Sequence, residues 1–168
     1  MSIIKNLILV SFLLLNMSLV NAEEIKKVLK NKDWEAYVIN NQNGKICFAQ
    51  SVPILQAPKK DTREARLFVT FRPNEKISDE ISITSGYEYN KKNSIMARSG
   101  KYKYKFDISQ DNFAWIANNT KEKKMIKTMK RGSRIMITGY NQKGSQTIDH
   151  YSLLGFTKAY NSAKKSCS

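Results

Sequence analysis

An acid, an imidazole and two hydroxyls stand together at Asp149-His150-Tyr151-Ser152, and a nucleophilic triad is built from such groups. On a strand, alternate side chains point to opposite faces of the sheet. Asp149 and Tyr151 would then face one way and His150 and Ser152 the other, so the acid cannot easily orient this imidazole. We therefore interpret His150 as a surface histidine and predict no catalytic residue in this segment.

Other kinds of reactive site find little support in the residue pattern. One histidine and fourteen acidic residues show no metal-ligand spacing, and two cysteines with one histidine cannot fill a four-ligand zinc site. Gly132 and Gly139 lack the motif that surrounds a phosphate-binding glycine loop. We expect no metal, no cofactor and no enzymatic activity. The alternative is a glycan-acting hydrolase, which needs two carboxyl groups roughly 5 to 10 Å apart; its candidate acids are Asp79, Glu80, Asp107 and Asp149.

The positive charge is the most general binding signal in the chain. A formal net charge of +15 attracts polyanions such as nucleic acid, lipopolysaccharide and anionic phospholipid. The 23 lysines far outnumber the 6 arginines, whereas specific recognition of phosphate or carboxylate tends to use arginine. Compositional drift on a solvated face is therefore a second explanation for much of the lysine. Nucleic acid is not a favoured partner.

The densest cationic segment spans residues 121–134 and has a helical layout. Asn119 can cap a helix, Glu122 stands three positions later as its reciprocal partner, and Gly132 can end it in the left-handed region. Contact with an anionic surface would explain the segment, and so would a helix packed on a sheet with its lysines in solvent. The apolar stripe of this helix would be Met125, Ile126 and Met129. The residues available for an anionic-surface contact are Lys121, Lys123, Lys124, Lys127, Lys130, Arg131 and Arg134.

The first 22 residues have the features of a secretory signal peptide. Lys5 supplies a positive start, Leu7 to Leu15 an apolar core, and Val20-Asn21-Ala22 a small-residue exit. Asn16 interrupts the apolar run well short of the roughly 20 residues that a membrane-spanning helix needs. We predict cleavage near Ala22 and no transmembrane helix in the mature form. The mature protein is expected in the periplasm, or else secreted or associated with the cell envelope.

The rest of the chain fits one domain. Residues 23–32 are polar and rich in lysine, and they suggest a short helix or a mobile arm on which no core depends. Residues 33–168 have a length that can bury a single core. Both cysteines lie in this part, and in an oxidising compartment an even number of cysteines favours a disulfide between Cys47 and Cys167. Two free thiols are the alternative.

Short alternating segments separated by turn residues indicate a mainly β fold. About eight strands with one or two short helices predict an antiparallel β-sandwich or a barrel-like domain. Asn141 to Gly144 would form a hairpin loop, Phe156 to Cys167 a closing helix, and Gln56 to Glu64 a mobile loop able to touch a partner. The predicted strands include residues 34–39, 45–52, 66–72, 101–108, 112–117, 133–140 and 145–153.

Several of these segments together resemble the invasion-associated locus B family of bacterial envelope proteins. The likeness rests on Asp33-Trp34-Glu35-Ala36-Tyr37, Gly44-Lys45-Ile46-Cys47-Phe48, Gly86-Tyr87 and, most specifically, the run from Gly144 to Phe156. It covers residues 33 to 167. The positions that match the family pattern are Trp34, Gly86, Tyr87, Gly139, Asp149, Tyr151, Ser152, Leu153, Gly155 and Phe156.

The resemblance implies an exported, mostly β-structured envelope protein associated with host-cell invasion, and hence with virulence. The chain departs from the family in its excess lysine and in lacking the further cysteines of some relatives, which leaves envelope upkeep as an alternative role. We expect a non-enzymatic interaction protein whose partner is an envelope or host-surface protein, or an anionic envelope component. A glycan hydrolase and a general polyanion-binding module are the alternatives.

Overall fold

Two antiparallel sheets, a large one and a small one, pack as a sandwich, which is one of the two architectures that the sequence predicts, and the sandwich does not close into a barrel. A computed structural model describes residues 24–59 and 62–168, and the predicted signal peptide at residues 1–22 lies outside this range. No helix in the described part of the chain is long and apolar enough to cross a membrane.

The large sheet has seven strands, in the spatial order β1 (Glu24–Asn31), β2 (Trp34–Asn41), β3 (Gly44–Ser51), β5 (Ala65–Arg72), β6 (Ile77–Ser85), β10 (Phe113–Trp115) and β9 (Ile108–Gln110). The small sheet has five, in the order β4 (Leu55–Ala57), β12 (Gln146–Ser152), β11 (Arg134–Tyr140), β7 (Ile95–Ser99) and β8 (Tyr102–Phe106). The helices are α1 (Asn119–Arg131) and α2 (Phe156–Ser166), with a short 3-10 turn at Pro73–Glu75.

Two expectations about these elements were wrong. Residues 24–31 form β1, paired antiparallel with β2, so this segment is neither a short helix nor a free arm. The strand predicted at residues 101–108 is two strands in different sheets, because the chain passes from β8 to β9 at Asp107. The predicted hairpin loop is confirmed, since the Gly144 amide donates to the Asn141 carbonyl at 2.8 Å.

Helix α2 covers part of the inner face of the large sheet. Its inward residues are buried, as the sequence predicted, and the ring of Phe156 lies 4.7 Å from that of Trp34 on β2. The indole Nε1 of Trp34 in turn donates to the Ser152 carbonyl of the small sheet at 2.8 Å. Trp34 therefore joins the large sheet, the small sheet and α2 at one buried position. The buried residues of α2 are Phe156, Ala159, Tyr160 and Ala163.

The disulfide between Cys47 and Cys167 is confirmed. Cys47 lies on β3 with its side chain buried, and Cys167 follows the last turn of α2. The bridge thus fixes the end of α2 to the sheet that the helix covers. It closes a loop between positions 120 residues apart, which restricts the unfolded chain strongly.

Helix α1 differs in detail from its prediction. The N-cap is Asn118 rather than Asn119, and its side chain accepts a hydrogen bond from the Lys121 amide at 3.0 Å. Glu122 does not complete a capping box: it is buried, and its carboxylate accepts from the Ile81 amide of β6 at 2.8 Å. Gly132 is extended rather than left-handed, with φ of −86°. Burial raises the pKa of Glu122, and its bond to β6 attaches α1 to the large sheet.

The outer face of the large sheet carries a row of aromatic rings. Tyr37, Phe48, Phe68 and Phe113 follow one another across the strands, and Trp115 stacks beside Phe113 on β10. Successive ring centroids are 5.3, 6.0, 6.2 and 5.8 Å apart. Such pairs stabilise a sheet beyond the area that they bury. Although they belong to the outer face, the polar residues between these rings are buried: Thr70, Ser82 and Thr84.

Replacing both cysteines, as Cys47→Ala with Cys167→Ala, should lower the free energy of unfolding by about 3 to 5 kcal/mol, because the bridge spans 120 residues. Guanidinium unfolding followed by tryptophan fluorescence measures the loss. Wild-type protein unfolded under reducing conditions is the control and should match the double variant. Identical unfolding midpoints with and without the bridge would contradict this account of the disulfide.

Candidate functional site: a cationic cleft beside helix α1

An open cleft of about 700 Å³ lies between α1 and the hairpin of β7 and β8. We call it the cationic cleft, because four of its lining side chains are cations and none is acidic. Helix α1 and the segment after it form one wall, and the hairpin turn and β8 form the other. The lining residues are Ser99, Gly100, Tyr102, Tyr104, Lys124, Lys127, Thr128, Arg131, Gly132, Ser133 and Arg134.

The wall contributed by α1 follows from helical spacing. Positions 124, 127, 128 and 131 are separated by three, four and seven residues, so their side chains share one face of the helix. The adjacent face is apolar and buried, and it holds α1 against the sheets. The predicted apolar stripe is confirmed in this face, which contains Met125, Ile126 and Met129.

Hydrogen bonds connect the two walls of the cleft. The Tyr104 hydroxyl lies 2.6 Å from the Thr128 hydroxyl and 3.2 Å from the Lys124 carbonyl. The Ser99 hydroxyl donates to the Arg134 carbonyl at 2.9 Å, at the start of β11. Because these bonds join β8 and β7 to the other wall, the cations of α1 and β11 are held at a fixed separation.

The cleft carries uncompensated positive charge. None of the ion pairs among the described residues involves Lys124, Lys127, Arg131 or Arg134. Like charges held close together repel one another, and a bound anion relieves that repulsion. The arginines add planar donor groups that can bind phosphate or carboxylate with two hydrogen bonds each.

The structure places the other three predicted contact residues outside the cleft. Lys121 lies 3.7 Å from the carboxylate of Asp107. The Nζ of Lys130 stands 3.9 Å over the ring of Tyr160, and burial lowers the pKa of Lys130. Lys123 lines a smaller depression beside Lys130, on another face of α1. Four of the seven cations therefore line the cleft and three do not, although Lys127 also lines the depression that holds Lys123 and Lys130.

The aromatic side of the cleft has only an indirect signal in the sequence. Lysine and aromatic residues alternate in 101–106, a pattern typical of a half-buried strand, and β8 covers Tyr102–Phe106. Tyr104 packs toward α1, whereas Tyr102 is 50% exposed at the cleft. Which strand faces the helix depends on the order of strands in the small sheet, and no local pattern contains that order.

The residues of the family pattern form a second, buried cluster between the sheets. Asp149 on β12 is 1% exposed and receives two hydrogen bonds from Arg63, at 2.6 and 3.1 Å. Gln56 of β4 also donates to Asp149, at 3.3 Å, and Arg63 donates to the Ser85 carbonyl of β6 at 2.9 Å. The expectation of a mobile loop at Gln56 to Glu64 is therefore wrong at both of its ends. Residues 60 and 61 of that loop lie outside the described range.

Arg63 keeps its charge in this cluster. Burial lowers the pKa of the guanidinium, but the hydrogen bonds and attraction of Asp149 outweigh that effect, so the pKa of Arg63 lies above its ordinary value. A charged, bidentate pair is the arrangement that best compensates two buried ions. Arg63 carried no sequence signal for this role, since its partner is 86 residues away.

Tyrosines and a glycine complete the cluster. The Tyr87 hydroxyl lies 2.5 Å from that of Thr147, and the Tyr89 hydroxyl donates to Ser85 at 2.9 Å. A Cβ atom on Gly139 would stand 2.7 Å from the Tyr87 hydroxyl, so any side chain at this point of β11 would displace the Tyr87 ring. Gly86 adopts a positive φ of 77° in the turn that leads to Tyr87.

The remaining family-pattern residues hold the end of β12 and the start of α2. Tyr151, Ser152 and Leu153 are buried, and the Leu153 amide donates to the Ser133 carbonyl at 3.0 Å. Gly155 has a φ of 95°, and a side chain there would collide with the backbone of Asn31. Together with Trp34 and Phe156, these residues build the frame of the sandwich.

The acids considered for a hydrolase all have partners. Asp79 accepts from the Tyr160 hydroxyl at 2.5 Å, and Glu80 forms two bonds of 3.0 and 2.9 Å with Arg72. Asp107 and Asp149 pair with Lys121 and Arg63 as described above. Each of these four acids is therefore held in a hydrogen bond or an ion pair. Among the described residues, no group of three or more histidine, cysteine or acidic side chains could hold a metal ion.

Comparison with known proteins identifies a family. A family model described as "Invasion associated locus B (IalB) protein" matches residues 34–164, which is most of the chain. No curated protein and no solved structure matches the chain.

Replacing Asp149 with Asn should destabilise the protein by about 3 to 5 kcal/mol, because the Arg63 guanidinium would stay buried without its carboxylate. Chemical denaturation measures the change. Asp107→Asn, at a partly exposed acid, is the control and should change stability by less than about 0.5 kcal/mol.

The double variant Arg63→Met with Asp149→Leu removes both charges and should be more stable than Asp149→Leu alone. If the loss of stability in the double variant instead equalled the sum of the losses in Arg63→Met and Asp149→Leu, the two side chains would not be energetically coupled.

Proposed function

The chain belongs to the invasion associated locus B family, and we propose that it is an exported, non-enzymatic interaction protein whose cationic cleft binds an anionic component of the bacterial envelope. Envelope upkeep is the role that we propose first. Host interaction is the second role, suggested by the name of the family.

Two features support export. Family membership and the Cys47–Cys167 bridge indicate an extracytoplasmic protein, since disulfides persist in oxidising compartments. The pattern of residues 1–22 supports cleavage near Ala22 and a destination in the periplasm or at the envelope.

The observation that carries the binding proposal is the absence of any acidic side chain from the lining of a cleft that holds four cations. A protein surface normally mixes the two signs of charge, so this lining is a local excess. Of the partner classes that the sequence indicates, an anionic component fits the lining best.

The lining also supports binding rather than chemistry. Its polar groups are lysine, arginine, tyrosine, threonine and serine, without the acid or imidazole that would serve as a general base. These groups can donate hydrogen bonds to phosphate or carboxylate oxygens.

Protein recovered from the periplasm of an expressing cell should have an intact mass that begins at Glu23 and lies two hydrogen atoms below the reduced value. Alkylation without reduction should add nothing to it. Leu14→Arg, which breaks the apolar core of the leader, is the control and should keep the chain in the cytoplasm. A full-length wild-type chain in the cytoplasm that takes up two alkyl groups would overturn export.

Charge reversal in the cleft, Lys127→Glu with Arg131→Glu, should weaken the binding of a compact soluble polyanion by at least about tenfold at roughly 0.15 M salt. Inositol hexakisphosphate, titrated by calorimetry, is a suitable probe. The matched control is Lys92→Glu with Lys143→Glu, which changes net charge equally. Both lysines lie in the turns at the other end of the small sheet, near Tyr140.

The control variant should lose less than about threefold in affinity for the probe, because its charges lie far from the cleft and are screened by salt. Equal losses of affinity in the two variants would mean that the whole positive surface attracts the probe and that the cleft is not a binding site.

A further inference from the structure

A patch of exposed aliphatic side chains lies at the same end of the small sheet as the cationic cleft. Val52, Ile54, Leu55 and Leu154 are 52, 50, 42 and 59% exposed, and we call them the aliphatic patch. Three of them lie in the short segment between β3 and the first residue of β4, and the fourth precedes α2. Exposed aliphatic residues are ordinary when single, but a group of them at one place marks a binding surface.

Backbone contacts place the patch and the cleft at the same end of the small sheet. The Ile54 amide donates to the His150 carbonyl at 2.7 Å, and Leu55 stands opposite His150 in the pairing of β4 with β12. Two residues further along β12, Ser152 stands opposite Arg134, which lines the cleft.

The same end is closed by bonds around Leu154. The Leu154 carbonyl accepts from the Asp33 amide at 3.3 Å, and the Asp33 carbonyl accepts from the hydroxyl of Ser51, the residue before Val52. On its other side, Leu153 donates to Ser133 of the cleft. Hydrogen-bonded residues thus connect Leu154 to the segment that carries Val52 on one side and to the cleft on the other.

We propose that this end of the molecule docks on the surface of an anionic phospholipid bilayer, an inference that rests on the proposed function and names its ligand. The cationic cleft meets the lipid phosphates, and the aliphatic patch enters the boundary between headgroups and acyl chains. Tyr102, half exposed at the cleft, is suited to that boundary because its ring is apolar and its hydroxyl is polar.

The pairing of hydrocarbon with cations favours a bilayer over other occupants. A water-soluble polyanion would neutralise the cleft but leave the aliphatic patch in water. A second copy of the chain would bring one cationic cleft toward another, which the net charge of +15 opposes. An anionic lipid surface offers phosphate and hydrocarbon side by side, so it attracts both the cationic cleft and the aliphatic patch.

Vesicle cosedimentation of the mature, disulfide-bonded chain tests the inference. Vesicles of phosphatidylcholine with about one third phosphatidylglycerol should bind it, and vesicles of phosphatidylcholine alone should bind it at least about tenfold more weakly. Ile54→Ser with Leu154→Ser should reduce binding to the anionic vesicles by about tenfold or more, because it removes two side chains that would leave water.

The matched control is Ile25→Ser with Ile108→Ser. These isoleucines are 60 and 49% exposed, like those of the patch, but they belong to the two edge strands of the large sheet. The control should bind within about twofold of wild type. All four positions are exposed, so circular dichroism should show unchanged folds.

The outcomes separate this inference from the function on which it rests. If the patch variant binds anionic vesicles like wild type while Lys127→Glu with Arg131→Glu does not, the headgroups alone are contacted and the aliphatic inference is overturned. If wild type binds inositol hexakisphosphate in the cleft but no vesicles, docking on a bilayer is overturned and anion binding in the cleft is retained. If it binds neither, both proposals fall.

Discussion

A buried carboxylate constrains the arrangement of the whole sandwich. Asp149 is directed from the small sheet into the space between the layers, where a charge without a partner is costly. Arg63, two residues before β5, supplies the partner. The bond from Arg63 to the Ser85 carbonyl then ties the pair to β6 of the large sheet. One ion pair thus links the two sheets.

The same pair supports the exposed end that we assign to lipid binding. Strand β4 has only three residues, too few to hold their place by backbone pairing alone, and Gln56 adds a bond to Asp149 from its middle. Ile54 and Leu55 are presented beside His150 because this short strand is held against β12. Helix α1 is secured comparably, by Glu122 to β6 and by Thr128 to Tyr104, so its clustered cations sit on a fixed support despite their repulsion.

Local patterns were sufficient for the elements whose side chains alternate or repeat along the chain. Strands such as β5 and β12, the closing helix α2 and the Cys47–Cys167 bridge could be predicted because each depends on neighbouring residue types or on the compartment. Strand β1 was missed because its lysines resemble a solvated arm, although charged residues are also how an edge strand avoids aggregation. The division at Asp107 was missed because β8 and β9 are separated by a single residue.

The cleft and the buried pair could not be predicted, because both are products of tertiary proximity. Asp149 and Arg63 are far apart in sequence, and the cations of α1 become a site only where β8 and β11 close around them. The residues of the family pattern have a structural role that differs from that of the cleft residues. Trp34, Gly139, Asp149 and Phe156 build the frame of the sandwich, and none of them lines the cleft. Membership of the family therefore accounts for the sandwich, whereas the ligand that we propose would contact exposed residues that are not among the matched family positions. In this chain those residues are the cations of α1 and β11 and the aliphatic side chains beside them.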